Sequence, residues 1–136
     1  MGRFIIRLAV VAALLAATAA STSAQQAPSA DEQQVDDLLS RALVAHKAGD
    51  LMGAVQNYQV ALDIAPERAD IRSNLGAALV GLGRYTEGVE QYRKALAGRD
   101  DPAIRLNLAI ALYKGVHFRE AAAELHVLRH EVALVA

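Results

Sequence analysis

Residues of matched size recur along this chain at intervals of 33 to 34 positions. Two positions of this repeat carry a small residue in every unit. One holds Ala42, Gly76 and Ala109, and the other holds Ala54, Gly88 and Ala121. Bulky residues occupy two others, which are Leu51, Tyr85 and Phe118, and Tyr58, Tyr92 and Leu125. A period of this length with two helical segments per unit predicts a solenoid of stacked units and excludes a single closed core.

The repeat divides residues 35–136 into three units, 35–68, 69–101 and 102–136. Ala, Leu and Val supply most of the 54% apolar content, and aromatic residues make up 4%, which favours helices over strands. The predicted helix pairs are 35–47 with 51–64, 71–82 with 85–97, and 103–114 with 118–132. Because the loops between them are short, successive helices are expected to be antiparallel. The predicted fold class is all-α.

Two start signals support these helices. Ser29 and Glu32 have the spacing of a capping box for the first helix. Asp101 precedes Pro102, which combines a good N-cap residue with a proline at the first helical position.

The segment from Leu75 to Gly88 holds four glycines, and a phosphate-binding loop is one explanation of such crowding. Gly76 and Gly81 have the spacing of such a loop, but Leu82 and Gly83 follow instead of Lys and Ser or Thr. The third glycine of a dinucleotide fingerprint is also missing. The glycines are therefore predicted to serve helix packing, and no cofactor is expected.

The pattern resembles the tetratricopeptide repeat (TPR) family. Its motifs are Leu75-Gly76-x2-Leu79, Gly83-x-Tyr85 and Gly88-x3-Tyr92-x2-Ala95, with partial versions in the other two units. The resemblance implies a right-handed α-solenoid of three helix-turn-helix units. The family's Trp position carries Leu38, Arg72 and Arg105, which is a departure from its pattern.

The family resemblance also implies that the first helices of the units line a concave groove that binds peptides. The groove-lining candidates are Leu43, Lys47, Asn74, Ala77, Gly81, Asn107, Ile110, Tyr113 and Lys114. In the family, an Asn at the position of Asn74 and Asn107 often hydrogen-bonds the backbone of a bound peptide, because an amide both donates and accepts. The alternative is that each Asn bonds the neighbouring unit.

The partner implied by this groove is a protein or peptide segment, either apolar or helical. Some members of the family grip an acidic C-terminal tail with basic residues and a further Asn. In this chain those places carry Leu39, Leu43 and Ala103, so an acidic tail does not fit.

The sequence predicts neither an enzyme nor a metal site. His126 and His130 are four residues apart, which suits chelation, but no third ligand lies nearby in the sequence. Ser40 and Ser73 have no His and acid at a recognisable spacing. The acidic residues are scattered and are interpreted as solvated helix faces.

Residues 1–24 are interpreted as a secretory signal peptide. Arg3 and Arg7 precede an uncharged apolar run from Leu8 to Ala20, and Ala24 ends a small-residue cleavage site. An uncleaved membrane anchor is the alternative, although the run is short for a bilayer span. A polar leader, residues 25–34, follows.

These features predict an exported chain, periplasmic or secreted, with no membrane insertion after cleavage. Cleavage removes two of the 14 basic residues and leaves 12 against 15 acidic ones. That net negative charge argues against a nucleic-acid partner. The chain has no cysteine, so the core has to hold the fold without disulfides.

The C-terminal segment lacks the polar capping helix with which solenoids usually end. Val132, Leu134 and Val135 make it apolar instead. A homodimer through the C-terminal helix, or docking of a structural component there, is therefore a second functional hypothesis. A truncated reading frame and frayed terminal residues are the alternatives.

Overall fold

The computed structural model describes residues 27–135, which form six α-helices and no strand. The helices are α1 (Ala30–Lys47), α2 (Leu51–Ile64), α3 (Ala69–Gly81), α4 (Tyr85–Gly98), α5 (Pro102–Lys114) and α6 (Phe118–Val135). The predicted signal peptide, residues 1–24, lies outside the described residues. No helix between residues 27 and 135 is both long and apolar enough to cross a membrane.

The helices form three hairpins that stack in chain order. α1 packs on α2, α3 on α4, and α5 on α6. The second helix of each of the first two hairpins also packs on the next hairpin, through α2 with α3 and α4 with α5. This nearest-neighbour packing is that of a solenoid, and the all-α prediction is confirmed.

Side-chain caps fix where three of the helices begin. The Ser29 hydroxyl accepts from the Glu32 backbone N–H, and the Glu32 carboxylate accepts from the Ser29 N–H, so the capping box is complete. The Asp50 and Asp101 carboxylates cap α2 and α5 by accepting from the backbone N–H groups of Gly53 and Ala103, without the reciprocal bond of a capping box. Because of the Ser29 cap, α1 begins at Ala30, five residues before the predicted start, and the second half of the predicted leader is helical.

Each hairpin turns through one residue with a positive φ angle. Gly49 has φ +84° and Gly83 has φ +76°, a conformation that glycine adopts without strain after the end of a helix. In the third hairpin the equivalent residue is Val116, with φ +68°. A β-branched side chain is strained in this conformation. The neighbouring Gly115, at φ −80°, does not relieve that strain.

Replacing Val116 by glycine is expected to stabilise the protein by about 1 kcal/mol, because the left-handed conformation costs an L-residue about that much and glycine nothing. Val116 is 70% exposed, so little packing is lost. Chemical denaturation measures the change. Gly83→Val, the reverse substitution at the equivalent position, is the control and is expected to destabilise. A lower denaturation midpoint for Val116→Gly would contradict the assignment of strain.

The core consists of two clusters, each of which joins adjacent hairpins. Tyr58 on α2 is buried with Ile71 and Leu75 of α3, and Tyr92 on α4 is buried with Leu108 and Leu112 of α5. Burial raises the pKa of the Tyr92 hydroxyl to about 12. The two tyrosines therefore fill the space between adjacent hairpins.

Small residues lie where the two helices of a hairpin cross. Ala42, Ala54, Ala109 and Ala121 are buried at these crossings. In the central hairpin, a Cβ atom on Gly88 would lie 3.0 Å from the Gly76 carbonyl oxygen and 2.7 Å from Val80 Cγ2. A Cβ atom on Gly76 would lie 3.0 Å from the Tyr92 ring. The prediction that these two glycines serve helix packing is confirmed, and both are required for the close approach of α3 and α4.

Candidate functional site

The nine predicted groove residues lie on the first helices of the three hairpins. α2 contacts both α1 and α3, α4 contacts both α3 and α5, and α3 also contacts α5 directly. Equivalent residues of α1, α3 and α5 therefore repeat along one side of the stack. We call this surface the groove face, and it consists of Leu43, Lys47, Asn74, Ala77, Gly81, Asn107, Ile110, Tyr113 and Lys114.

A row of apolar side chains runs along the groove face. Leu43, Ala77 and Ile110 share one repeat position; Leu43 and Ile110 are exposed and Ala77 is half-buried. Tyr113 follows Ile110 by three residues on the same helix and is 65% exposed. Its ring packs edge-on against Phe118, with 5.3 Å between the ring centroids. These recurring exposed side chains form an apolar surface against which an apolar segment can bury its own side chains.

Two side-chain amides stand beside this row. Asn74 is half-buried and Asn107 is exposed, and both occupy the same position of the repeat. Neither amide hydrogen-bonds another residue in the described part of the chain. No contact therefore supports the alternative that each Asn bonds the neighbouring unit. Both amides are free to donate and accept toward a ligand.

Lys47 and Lys114 end α1 and α5 at equivalent positions, and both side chains are exposed. Neither forms an ion pair within residues 27–135. A cation in the last helical turn interacts favourably with the helix dipole. The two lysines also place positive charge along one edge of the groove face, at the first and the third hairpin.

Gly81 has a packing role that the sequence did not indicate. A Cβ atom at this position would lie 2.8 Å from Leu51 Cδ1 of the preceding hairpin. The missing side chain thus lets the end of α3 lie against the start of α2. Gly81 remains exposed on its other side. The contact with Leu51 joins two residues 30 positions apart, which local sequence does not reveal.

Arg72 and Arg105, at the repeat position where the TPR family carries Trp, each connect the two helices of their hairpin. The Arg72 guanidinium donates to Gln91 Oε1 at 3.4 Å and to the Pro66 carbonyl at 2.8 Å. The Arg105 guanidinium donates to Glu124 Oε2 at 2.8 Å and also pairs with Asp100. Each arginine thereby links the first helix of its hairpin to a residue 19 positions later on the second. A sign of these contacts in the sequence is that Arg occupies the same repeat position in the second and third units.

Of the side chains considered for chemistry, His126 and His130 lie on α6, outside the groove face, whereas Ser40 occupies the repeat position of Asn74 and Asn107. His126 and His130 face one another on α6, with 3.3 Å between their Nε2 atoms. No group of three or more metal-ligating side chains occurs among the described residues. The Ser40 hydroxyl donates to the Asp36 carbonyl at 2.8 Å, as a helix serine commonly does.

Comparisons with known proteins identify the fold of the stacked hairpins. Residues 42–83 match a protein-family model described as a TPR repeat. The structure superimposes on the TPR2B domain of yeast Sti1, solved as a complex with pHsp70, with a TM-score of 0.70. That likeness covers 76% of this chain and 83% of the other at 23% identity. The chain has the TPR fold.

Two further solved structures have the same arrangement. The TPR domain of Arabidopsis OM64 aligns with a TM-score of 0.68 at 20% identity, covering 72% of this chain and 82% of that one. A chain from the CopN–Scc3 complex aligns with a TM-score of 0.68 at 18% identity, covering 74% and 58%. No curated protein gives a significant sequence match. These superpositions extend the TPR fold beyond residues 42–83 to all three hairpins.

Proposed function

We propose that this protein is a non-catalytic scaffold that holds a segment of another protein on the groove face of its TPR fold. The observation that carries the proposal is the pair of amides, Asn74 and Asn107, at equivalent positions without an internal hydrogen-bond partner. Two solved structures with this fold are complexes, one with pHsp70 and one of CopN with Scc3, which is consistent with a protein partner.

The bound segment is apolar or helical and binds by burying apolar side chains. Leu43, Ile110 and Tyr113 supply exposed apolar area, and the asparagines supply polar contacts to the ligand backbone. An acidic tail is a poor fit, because Leu39 and Leu43 stand where the family's tail-binding members carry polar or basic side chains.

Replacing both Asn74 and Asn107 by alanine is expected to weaken peptide binding by about tenfold or more, because each lost hydrogen bond contributes about 0.5–1.5 kcal/mol. The probe is a set of apolar helical peptides selected on the wild-type protein from a random display library. Fluorescence anisotropy measures the dissociation constants, and the thermal melting midpoint checks the fold.

The matched control replaces Gln56 and Gln59, two exposed amide residues on α2, by alanine. This control is expected to bind the selected peptides as the wild type does. Equal affinity of the wild type and the Asn74→Ala, Asn107→Ala variant would refute the groove face as the binding site.

We also propose that the scaffold acts outside the cytoplasm, in a bacterial envelope or as a secreted protein. The support is the order of Arg3, Arg7, the apolar run and the small residues that end at Ala24. The mass of the purified protein tests this, because cleavage leaves Gln25 as the first residue. Recovery of the protein from the cytoplasm with Met1 retained would count against export.

A further inference from the structure

Two histidines on α6, His126 and His130, bring their ring nitrogens together at the surface of the third hairpin. They are four residues apart, so they lie on one face of the helix. Both side chains are exposed, and 3.3 Å separates their Nε2 atoms. The ring centroids lie 4.5 Å apart, with the ring planes inclined by 56°. The contact thus joins the two nitrogens at the tips of the rings, where a shared ligand could be reached from solvent.

The separation of the two Nε2 atoms fits a tetrahedral zinc chelate. At the usual Zn–N bond length of about 2.0–2.1 Å, two nitrogens 3.3 Å apart subtend an angle of about 107° at the metal, close to the tetrahedral angle of about 109°. A square-planar ion with bonds of about 2.0 Å would need the two nitrogens about 2.8 Å apart. The two histidines therefore already hold the spacing that zinc requires.

Without a metal, the same spacing lets one imidazole donate its Nε2–H to the Nε2 lone pair of the other. A neutral imidazole carries a single N–H, which either ring nitrogen can hold. When the donor ring moves its proton to Nδ1, both Nε2 lone pairs become available. Zinc can then take the place of the shared proton with no change in the charge of either ring.

The surroundings of the pair leave room for a hydrated metal ion. Ala122 and Ala133, one turn before His126 and nearly one turn after His130, are exposed and small. Water can therefore occupy the coordination positions that the histidines leave open. Arg119 and Arg129 flank this face and oppose a dication, but both are exposed, so solvent and salt screen their charge.

The geometry points to a zinc-binding site on α6, formed by the Nε2 atoms of His126 and His130 with water in the two remaining positions. The ligand class is a late first-row divalent cation, for which imidazole is a preferred donor. The site lies on the second helix of its hairpin, whereas the groove face lies on the first helices. It is therefore a second site, separate from the one proposed for a protein segment. Because the chelate requires two residues one turn apart, bound zinc also stabilises that turn of α6.

Isothermal titration calorimetry of zinc into the purified protein, prepared without a histidine tag, tests the site. We expect saturable binding of one Zn²⁺ per chain that EDTA reverses, and no binding of Mg²⁺, which prefers oxygen ligands. His126→Ala and His130→Ala are each expected to weaken zinc affinity by at least about tenfold, because either change leaves a single imidazole. Nitrogen NMR of the imidazole rings is expected to show zinc-induced shifts at Nε2 of both histidines.

Two variants serve as matched controls. His117→Ala removes an exposed histidine whose Nδ1 lies 3.5 Å from Glu120 Oε1, and it is expected to leave zinc affinity unchanged. His130→Val combined with Val127→His keeps the composition but places the two histidines about 100° apart around the helix. This exchange is expected to lose as much affinity as His130→Ala. Circular dichroism verifies that each variant folds.

Three outcomes would overturn the proposal. The first is no saturable zinc binding below about 1 mM zinc. The second is zinc binding that folded His126→Ala and His130→Ala leave unchanged. The third is one zinc per two chains together with a zinc-dependent dimer in sedimentation, since histidines of a second copy would then stand in place of the two waters.

Discussion

Replacing Tyr92 by alanine is expected to lower the free energy of unfolding by about 3–5 kcal/mol, the range for truncating a buried aromatic side chain. Tyr92 is 3% exposed and lies between the second and third hairpins, in one cluster with Leu108 and Leu112. Because a small domain is stable by about 5–15 kcal/mol, this loss is a large share of the total. Urea denaturation followed by circular dichroism measures it.

The same substitution is expected to uncouple the third hairpin from the first two. In a solenoid each unit is held by its own stability and by its contacts with neighbours. Hydrogen exchange should therefore show a greater loss of protection in α5 and α6 than in α1 and α2. Tyr113→Ala, at a 65% exposed tyrosine of α5, is the control and is expected to change stability little. Equal destabilisation by the two variants would contradict the interface role of Tyr92.

Replacing Gly88 by leucine is expected to destabilise the central hairpin by about 3 kcal/mol, at the upper end of the usual cost of overpacking a core. A Cβ atom at Gly88 would already lie 3.0 Å from the Gly76 carbonyl oxygen, which belongs to the backbone of α3. Backbone cannot rotate away as a side chain can, so α3 and α4 would have to separate. Thermal and urea denaturation measure the loss.

Gly98 on the same helix provides the matched control for Gly88→Leu. A Cβ atom at Gly98 would meet nothing within 4 Å, so Gly98→Leu is expected to be neutral or slightly stabilising. Gly76→Leu, which meets the ring of Tyr92 instead of backbone, is expected to cost about 1–3 kcal/mol. If Gly88→Leu and Gly98→Leu melted alike, the close crossing of α3 and α4 would be refuted.

The helices were predictable because the repeat samples each structural position three times. The spacing predicts a helix over 51–64, and α2 spans Leu51–Ile64. The start of α1 was placed too late, because residues 30–34 are polar and lack the apolar periodicity on which the prediction relied. The capping box at Ser29 outweighs that polarity, since it satisfies two backbone donors at once.

The candidate site was predictable in position but not in detail. The repeat identified which residues of α1, α3 and α5 are equivalent, and the family resemblance assigned them to a groove. Whether Asn74 and Asn107 bond a neighbouring unit stayed open until their surroundings were known. The bracing contacts of Arg72 and Arg105 were missed, because an arginine side chain reaches a partner that spacing alone does not specify.

The sequence by itself determined the all-α solenoid, the three hairpins and the small residues at their crossings, because these follow from a local period repeated along the chain. Only the tertiary structure decided that Gly81 accommodates Leu51, and that Leu125 is exposed where Tyr58 and Tyr92 are buried. The physical reason is that each of these depends on which atoms approach from a neighbouring hairpin, or fail to approach. A repeat pattern identifies equivalent positions in the three units, and the stacking of the units determines which atoms each position contacts.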